Sequence, residues 1–255
     1  MGILYKLFVG DIKRRSRDSF LIGYNIVFPV IMLLLLGYLT SDGYGSSFTG
    51  YQYYSVVMLP FCIALAVISA AYAGKDEAYR KTAIRFMFTP IHKAQLVLSK
   101  LLSLTIVICC CNLIVLLGAM LLFRLPIEDK LIPVFGLLAA ETFAVCAIGL
   151  FIGFGIKNFI VIKNLINIPI MLAAILAGVF YPFGTLKDST NFIIQLSPLT
   201  WMNRSLFLSI YDDRMSLLFR ISLICVLIGI GFTLLAIMLF KKEEYIHGDL
   251  PGYEK

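Results

Sequence analysis

The chain has 255 residues, of which 60% are hydrophobic and 15% are charged, and its formal net charge is +7. A soluble globular domain is normally about half apolar, so this composition excludes an ordinary soluble protein. The positive charge lies in short segments beside apolar runs, which favours anionic lipid headgroups over nucleic acid as its partner.

The first predicted element is a short N-terminal helix. Its apolar residues and one aspartate fall near one helical face, with the basic residues largely elsewhere. The face consists of Leu4, Leu7, Phe8, Asp11 and Ile12. This pattern predicts an interfacial helix on the cytoplasmic leaflet. An alternative interpretation is a basic flank of the first membrane span, and both interpretations keep the segment inside the cell.

Six apolar stretches follow, each about the 20 residues that cross a hydrocarbon core about 30 Å thick. Hydrocarbon offers no partner to free backbone groups, and the runs are continuous rather than alternating, so they predict helices and not barrel strands. The predicted spans are about 20–39, 51–74, 101–123, 133–156, 164–182 and 221–240. Pro29 and Pro169 lie within spans and are expected to kink them. The fold class is therefore an all-α integral membrane protein with one domain over residues 1–255.

The placement of basic residues predicts the orientation of this domain. If both termini are cytoplasmic, most of the 22 Lys and Arg residues lie on the inner side of the membrane. The positive-inside rule then favours cytoplasmic termini, and an even number of spans agrees with it.

The connection between the second and third spans mixes charged residues with an apolar cluster. Pro90 disfavours helix at Thr89, so a short cytoplasmic helix is expected to end near Phe88. Such a helix would present Ile84, Phe86, Met87 and Phe88 to a partner protein. The alternative is an interfacial helix whose apolar face lies in lipid.

Glu141 is the ionisable residue that lies deepest within a predicted span. An ionised carboxylate at the bilayer centre costs about 2.5 to 3.5 kcal/mol on insertion scales, so its side chain is expected to face protein or water. Two interpretations are open. Glu141 either contacts a cargo or proton path, or it is a protonated group that joins helices by hydrogen bonds, with Asn112 or Asn167 as its partner.

The predicted outer connection between the fifth and sixth spans is long and stays partly apolar. Pro182 and Pro198 divide it into segments that are expected to form short re-entrant helices in the outer leaflet. Trp201, the only tryptophan, fits the aromatic belt of the membrane interface.

Sequence motifs for catalysis are missing from this chain. The only Gly-Lys pair, Gly74-Lys75, is followed by Asp76 and does not form a phosphate-binding loop. Both histidines fall in predicted cytoplasmic segments, and all six cysteines fall in predicted spans, where they are interpreted as packing residues. We therefore expect no catalytic residue, no metal and no cofactor on this chain.

The order of these elements resembles the membrane subunit of ABC exporters of the type-2 permease family, over nearly the full length of the chain. The motifs that carry the local resemblance are Glu77, Thr82, Thr89-Pro90, Lys100 and the segment Leu196-Ser197-Pro198-Leu199-Thr200-Trp201. They are similar to the family's acidic-to-Gly-Thr, Thr-Pro, Gly-Lys and Ser-Pro-aromatic patterns. Lys81 and Ser99 stand where the family has glycine, and the family's proline near Lys187 is missing.

The resemblance implies a plasma-membrane permease of a bacterium that pairs with a second permease chain, identical or paralogous. It also implies two separate ATP-binding subunits that carry ATP and magnesium and dock on the interfacial and coupling helices. The implied contact surface consists of Glu77, Arg80, Thr82, Phe86, Phe88 and Pro90. The expected cargo is hydrophobic or amphipathic: an antimicrobial or toxin peptide, or a lipophilic drug.

Two other classes of function fit the same residues. A gradient-driven secondary transporter would use Glu141 and need no ATPase. A nontransporting membrane immunity or assembly protein would move no cargo under any condition.

Overall fold

The computed structural model describes residues 3–41, 49–79, 92–155, 159–180 and 194–240, and the regular structure of these residues is helical. A short 3₁₀ turn, Glu128–Lys130, precedes the sixth helix. The helices are α1 (Ile3–Arg15), α2 (Ser19–Ile22), α3 (Phe28–Leu39), α4 (Gly50–Tyr79), α5 (Lys93–Phe123), α6 (Leu131–Gly155), α7 (Phe159–Leu176), α8 (Pro198–Tyr211) and α9 (Ser216–Leu239).

Five helical segments in this described part are long and apolar enough to cross a membrane. They are Ser19–Leu39, Gly50–Lys75, Lys93–Phe123, Glu128–Gly155 and Ser216–Leu239. The remaining predicted span falls in α7, whose apolar portion, Leu165–Leu176, is shorter. A multi-pass helical membrane protein is thus confirmed, whereas six spans and cytoplasmic termini remain predictions.

Helix α1 forms where the sequence predicts it and packs on α5. The face predicted from the sequence is partly buried, whereas Tyr5, Lys6, Val9 and Lys13 are exposed. The apolar face of α1 therefore contacts protein, and the exposed lysines are free to face headgroups or solvent.

The first span is interrupted by a π-helical turn, Gly23–Val27, just before Pro29. Pro29 has no N–H to give, and its ring crowds the carbonyl four residues earlier, so the helix loosens there. The Phe28 N–H bonds to Gly23 O, five residues back, and the buried Asn25 amide donates to Leu21 O at 2.8 Å. The sequence predicts a kink at Pro29, and the structure has a π-helical turn directly before it.

Helix α5 begins earlier than the predicted third span. The backbone N–H of His92 donates to the Gln95 side chain at 3.3 Å, and the His92 side chain accepts from the backbone of the third helical residue. This reciprocal capping box satisfies N–H groups that a helix start leaves free. The helix therefore starts at Lys93, and its first turns extend past the predicted edge of the bilayer.

Helix α4 is the centre of the bundle. The most apolar window of its span is 83% buried, against 28% for the first span and 22% for α9. Helix α6 lies between α4 and α9 and contacts both extensively. The outer helices therefore keep apolar faces for lipid or for another chain, whereas α4 is enclosed by protein.

Glycines bring α4 and α6 into direct backbone contact. A Cβ placed on Gly149 of α6 would lie 2.5 Å from Val67 O, and one on Gly153 would overlap Ala71 O. Gly74 of α4 faces Gly153, where an added Cβ would lie 3.1 Å from its Cα. Gly149 and Gly153 are four residues apart, the spacing of the small-residue interfaces that allow close helix packing in membranes. We call these contacts the glycine seam.

Candidate coupling and cargo sites

The bundle has two ends, defined here by α1 and by α8. The α1 end brings together α1, the last turns of α4 and the first turns of α5, so it contains both flanks of the connection 80–91. Within the predicted coupling surface, Glu77 lies in the final turn of α4. The other predicted residues, Arg80, Thr82, Phe86, Phe88 and Pro90, lie outside the described residues, so their arrangement remains a prediction.

Asp11 fastens α1 to α5. The Ser99 hydroxyl donates to Asp11 Oδ2 at 2.6 Å, and Arg14 donates to Asp11 Oδ1 at 3.2 Å. Ser99 stands where the family pattern has glycine, and its hydroxyl makes the link that glycine lacks. The interfacial helix and the base of α5 are therefore joined by a charge-assisted hydrogen bond, which is stronger than a neutral one.

Lys100 links α5 to α4. Its side chain is completely buried, and Nζ donates to Ala73 O at 2.9 Å. Arg15 at the end of α1 is also buried, at 4% exposure. A buried cation requires hydrogen-bond partners to offset the loss of water. The α1 end is thus a cross-linked polar junction, and both flanks of the connection 80–91 are anchored in it.

Glu141 lies in the middle of α6 and is 4% exposed. Its Oε2 atom has no hydrogen-bond partner among the described residues. Asn112 of α5 instead donates to the Thr142 hydroxyl at 3.2 Å, and Thr142 donates to Leu138 O at 2.7 Å. Asn112 therefore joins α5 to α6 one residue away from Glu141, without bonding to the carboxyl group. Asn167 is half-buried on α7, and no hydrogen bond within the described part joins it to Glu141.

Within the part of this end that the structure describes, α8 is a 14-residue helix, longer than the short re-entrant helices that the sequence predicts there. Pro198 occupies the first turn of α8, where a missing N–H costs nothing. The buried residues of α8 recur at helical spacing, so one 14-residue helix forms along their stripe. They include Leu199, Met202, Leu206 and Ile210. Pro182, the other predicted breaker, lies outside the described residues.

Trp201 is fixed at the start of α8. Its indole Nε1 donates to Gln195 O at 2.8 Å, and the Arg204 guanidinium lies 5.9 Å from the ring centroid. The ring is half-buried, with its N–H hydrogen-bonded and a cation over its face. This environment suits the interfacial position that the sequence predicts for it.

Sequence reasoning missed three features of these sites. The Gly-x-x-x-Gly spacing at Gly149 and Gly153 is a recognisable signal for close packing. No sequence pattern indicates that Lys100 is buried, because lysine is almost never fully buried in proteins. Bonds from Tyr53 and Tyr54 to distant carbonyl groups join residues more than a hundred positions apart, so no local pattern predicts them.

Comparison with known proteins supports the resemblance found in the sequence. A family model described as ABC-2 type transporter matches residues 4–211. The match spans α1 to α8, including the connection 80–91 and the outer segment before α8. No curated protein was found to match the chain.

Proposed function

Since the chain belongs to the ABC-2 type transporter family, we propose that it is the permease of an ATP-driven exporter whose ATPase is a separate subunit. At the coarser level the chain is a multi-pass membrane protein and the membrane component of an ABC transporter. ATP and magnesium belong to the partner subunit in this proposal. The permease contributes the transmembrane path and the docking surface.

The observation that carries the proposal is the family match together with the polar junction at the α1 end. Asp11, Ser99 and Lys100 tie α1, α4 and α5 together beside the connection 80–91. A displacement of that connection would therefore be transmitted to all three helices. This supports a role for the α1 end as the cytoplasmic docking site, with Glu77, Arg80, Thr82, Phe86, Phe88 and Pro90 in contact with the ATPase.

The proposed cargo is hydrophobic or amphipathic, either an antimicrobial or toxin peptide or a lipophilic drug. The long apolar helices and the short connections between most of them suit such a molecule better than a long polysaccharide. We place the permease in the plasma membrane of a bacterium, paired with a second copy or a paralogous permease. Exposed apolar side chains on α3, α7 and α9, such as Leu35, Leu172 and Leu227, are available to lipid or to that second chain.

Affinity purification of the tagged chain from its native membranes in mild detergent tests this function. The expected result is a co-purifying ATP-binding subunit at one copy per permease, measured by quantitative mass spectrometry. A known ABC complex purified in parallel controls for detergent damage. If the control complex survives and no ATP-binding subunit accompanies this chain, the proposal is wrong.

A gradient-driven transporter is the second candidate, because Glu141 is buried in the membrane without a hydrogen-bond partner for Oε2 among the described residues. Glu141→Gln separates the two functions. The amide has nearly the same shape as the carboxyl group but cannot take up and release a proton during transport. ATP-driven export is therefore expected to stay within about threefold of the wild type, whereas proton-coupled transport would be abolished.

The measurement uses inside-out vesicles with a panel of fluorescent amphipathic peptides and lipophilic dyes, with and without an ionophore. Asn167→Asp is a matched control, since it adds a carboxyl group at a half-exposed site on α7. Uptake that needs ATP, resists the ionophore and survives Glu141→Gln supports the ABC exporter. Uptake that both Glu141→Gln and the ionophore abolish supports the gradient-driven candidate.

A further inference from the structure

The carboxyl end of α7 is closed by a backbone motif that turns the chain sharply. Gly178 has a φ of 70°, and its N–H donates to Ile175 O at 3.1 Å. The Val179 N–H donates to Ala174 O at 3.0 Å. This is the Schellman arrangement, in which a left-handed glycine satisfies carbonyl groups at a helix end. It leaves the carbonyl groups around the turn in need of further partners.

Four side chains from other parts of the fold supply those partners. Tyr53 and Tyr54 of α4 donate their hydroxyls to Gly178 O and Phe180 O at 2.8 and 3.2 Å. From the other side, Ser197 is a second donor to Ala173 O at 2.9 Å, beside the Ala177 N–H, and Asn203 of α8 donates to Ala177 O at 3.3 Å. The carboxyl end of α7 is thus held between α4 and the α8 segment by polar bonds.

These bonds lie in an apolar environment. Tyr54, Val179 and Ala174 are completely buried, and Leu199 is 4% exposed. The four bonds themselves are part-buried, and each is made to a carbonyl group at the end of α7, so together they favour one position of the helix end. The bonds are also few and come from hydroxyl and amide groups, so they can break and re-form without separating charges.

The same apolar cluster contains Cys62 of α4, which is 3% exposed. Cys62 is eight residues from Tyr54, or about 12 Å along the helix. Ala174 and Val179, at the bonded end of α7, belong to that cluster too. Movement of that turn away from α4 would open the cluster and admit solvent to the Cys62 thiol.

We propose that Tyr53, Tyr54, Ser197 and Asn203 form a latch that holds the carboxyl end of α7 against α4 and closes the α8 end of the bundle. The latch opens when the turn Ala177–Phe180 leaves the two tyrosines. The assignment of this opening to cargo release rests on the proposed export function. The opening itself does not rest on the export function, because it is a property of this chain alone.

The Cys62 thiol reports on the latch without any cargo or ATPase. The other five cysteines are replaced by alanine, and the chain in proteoliposomes is treated with a small charged methanethiosulfonate. In this background Tyr53→Phe with Tyr54→Phe removes two latch bonds and keeps both rings. We expect the labelling rate of Cys62 to rise about tenfold, as two bonds of the strength found between membrane helices would give.

Tyr51→Phe is the matched control. Its ring stacks on Phe123 at 4.9 Å, and its hydroxyl makes no hydrogen bond within the described residues. An Asn203→Ala variant tests the latch from the α8 side and is expected to raise Cys62 labelling as well. A rate for the double tyrosine variant that equals the Tyr51→Phe rate would overturn the latch.

A second reporter separates opening from general loosening. A chain that keeps only Cys146, which is fully buried in a different cluster, is labelled in parallel. A local latch predicts faster labelling at Cys62 and no change at Cys146. Equal acceleration at both thiols would mean that the hydroxyls only stabilise the fold, and the inference would be wrong. Failure to find an ATP-binding partner would remove the export function but leave this result intact.

Discussion

Gly153→Ala is expected to destabilise the protein by about 1 to 3 kcal/mol, the usual cost of overpacking a tight interface. The added methyl group would overlap Ala71 O of α4, which is backbone and cannot rotate away. The two most buried of the five spans, α4 and α6, would have to separate along the glycine seam. Because neighbouring contacts depend on that spacing, Gly153→Leu is expected to prevent recovery of folded protein.

Gly136→Ala on the same helix is the matched control. An added Cβ there meets nothing within 4 Å, so only the helix propensity changes. Alanine is favoured over glycine by about 1 kcal/mol in a helix, so this variant is expected to be neutral or slightly more stable. The melting temperatures of both variants are measured by thermal unfolding in detergent, with size-exclusion chromatography to monitor the folded fraction. Equal melting temperatures for the two variants would show that the seam is not tightly packed.

The double variant Arg80→Glu, Phe86→Asp is expected to reduce cargo transport at least about tenfold while leaving membrane insertion intact. The proposed coupling surface would lose one positive charge and gain two carboxylates, one of them in place of an aromatic contact. Aromatic and arginine residues at interface centres often contribute about 2 kcal/mol or more each, and 1.4 kcal/mol corresponds to tenfold in affinity. The ATPase would then bind weakly or hydrolyse ATP without moving cargo.

The measurement compares ATP hydrolysis and transport in proteoliposomes that contain the permease and its ATPase. Arg214→Glu is the control, since it reverses a charge at the exposed α8 end, far from α1. Transport should depend on Arg80 and Phe86 and not on Arg214. Normal transport by the double variant would count heavily against the coupling assignment, whatever the ATPase rate.

Much of the architecture follows from local sequence. Continuous apolar runs predicted the spanning helices, because a helix is the structure that satisfies its own backbone in hydrocarbon. The partly buried face of α1 was predicted from its spacing, and Pro29 marked the irregular turn in the first span. Helix ends were less predictable. The start of α5 depends on a capping box at His92 and Gln95, which lies beyond the apolar run.

The polar contacts were the least predictable part. Glu141 was expected to pair with Asn112 or Asn167, whereas Asn112 bonds to Thr142 and the Oε2 atom of Glu141 has no partner in the described part of the chain. Which of two neighbouring polar residues a side chain meets depends on helix rotation by a fraction of a turn. A hydropathy value averages over all faces of a helix, so it gives no information about that rotation.

The sequence by itself determined that this protein belongs in a membrane, which segments contain its spanning helices, and which family its order of elements resembles. Those properties depend on composition and on contacts between neighbours in the chain. Only the tertiary structure decided that α4 is the central helix, that Lys100 is buried against Ala73 O, and that Tyr53 and Tyr54 hold the end of α7. Each of these joins residues distant in sequence, and in an apolar solvent such pairings are chosen by close packing and the need to satisfy polar groups.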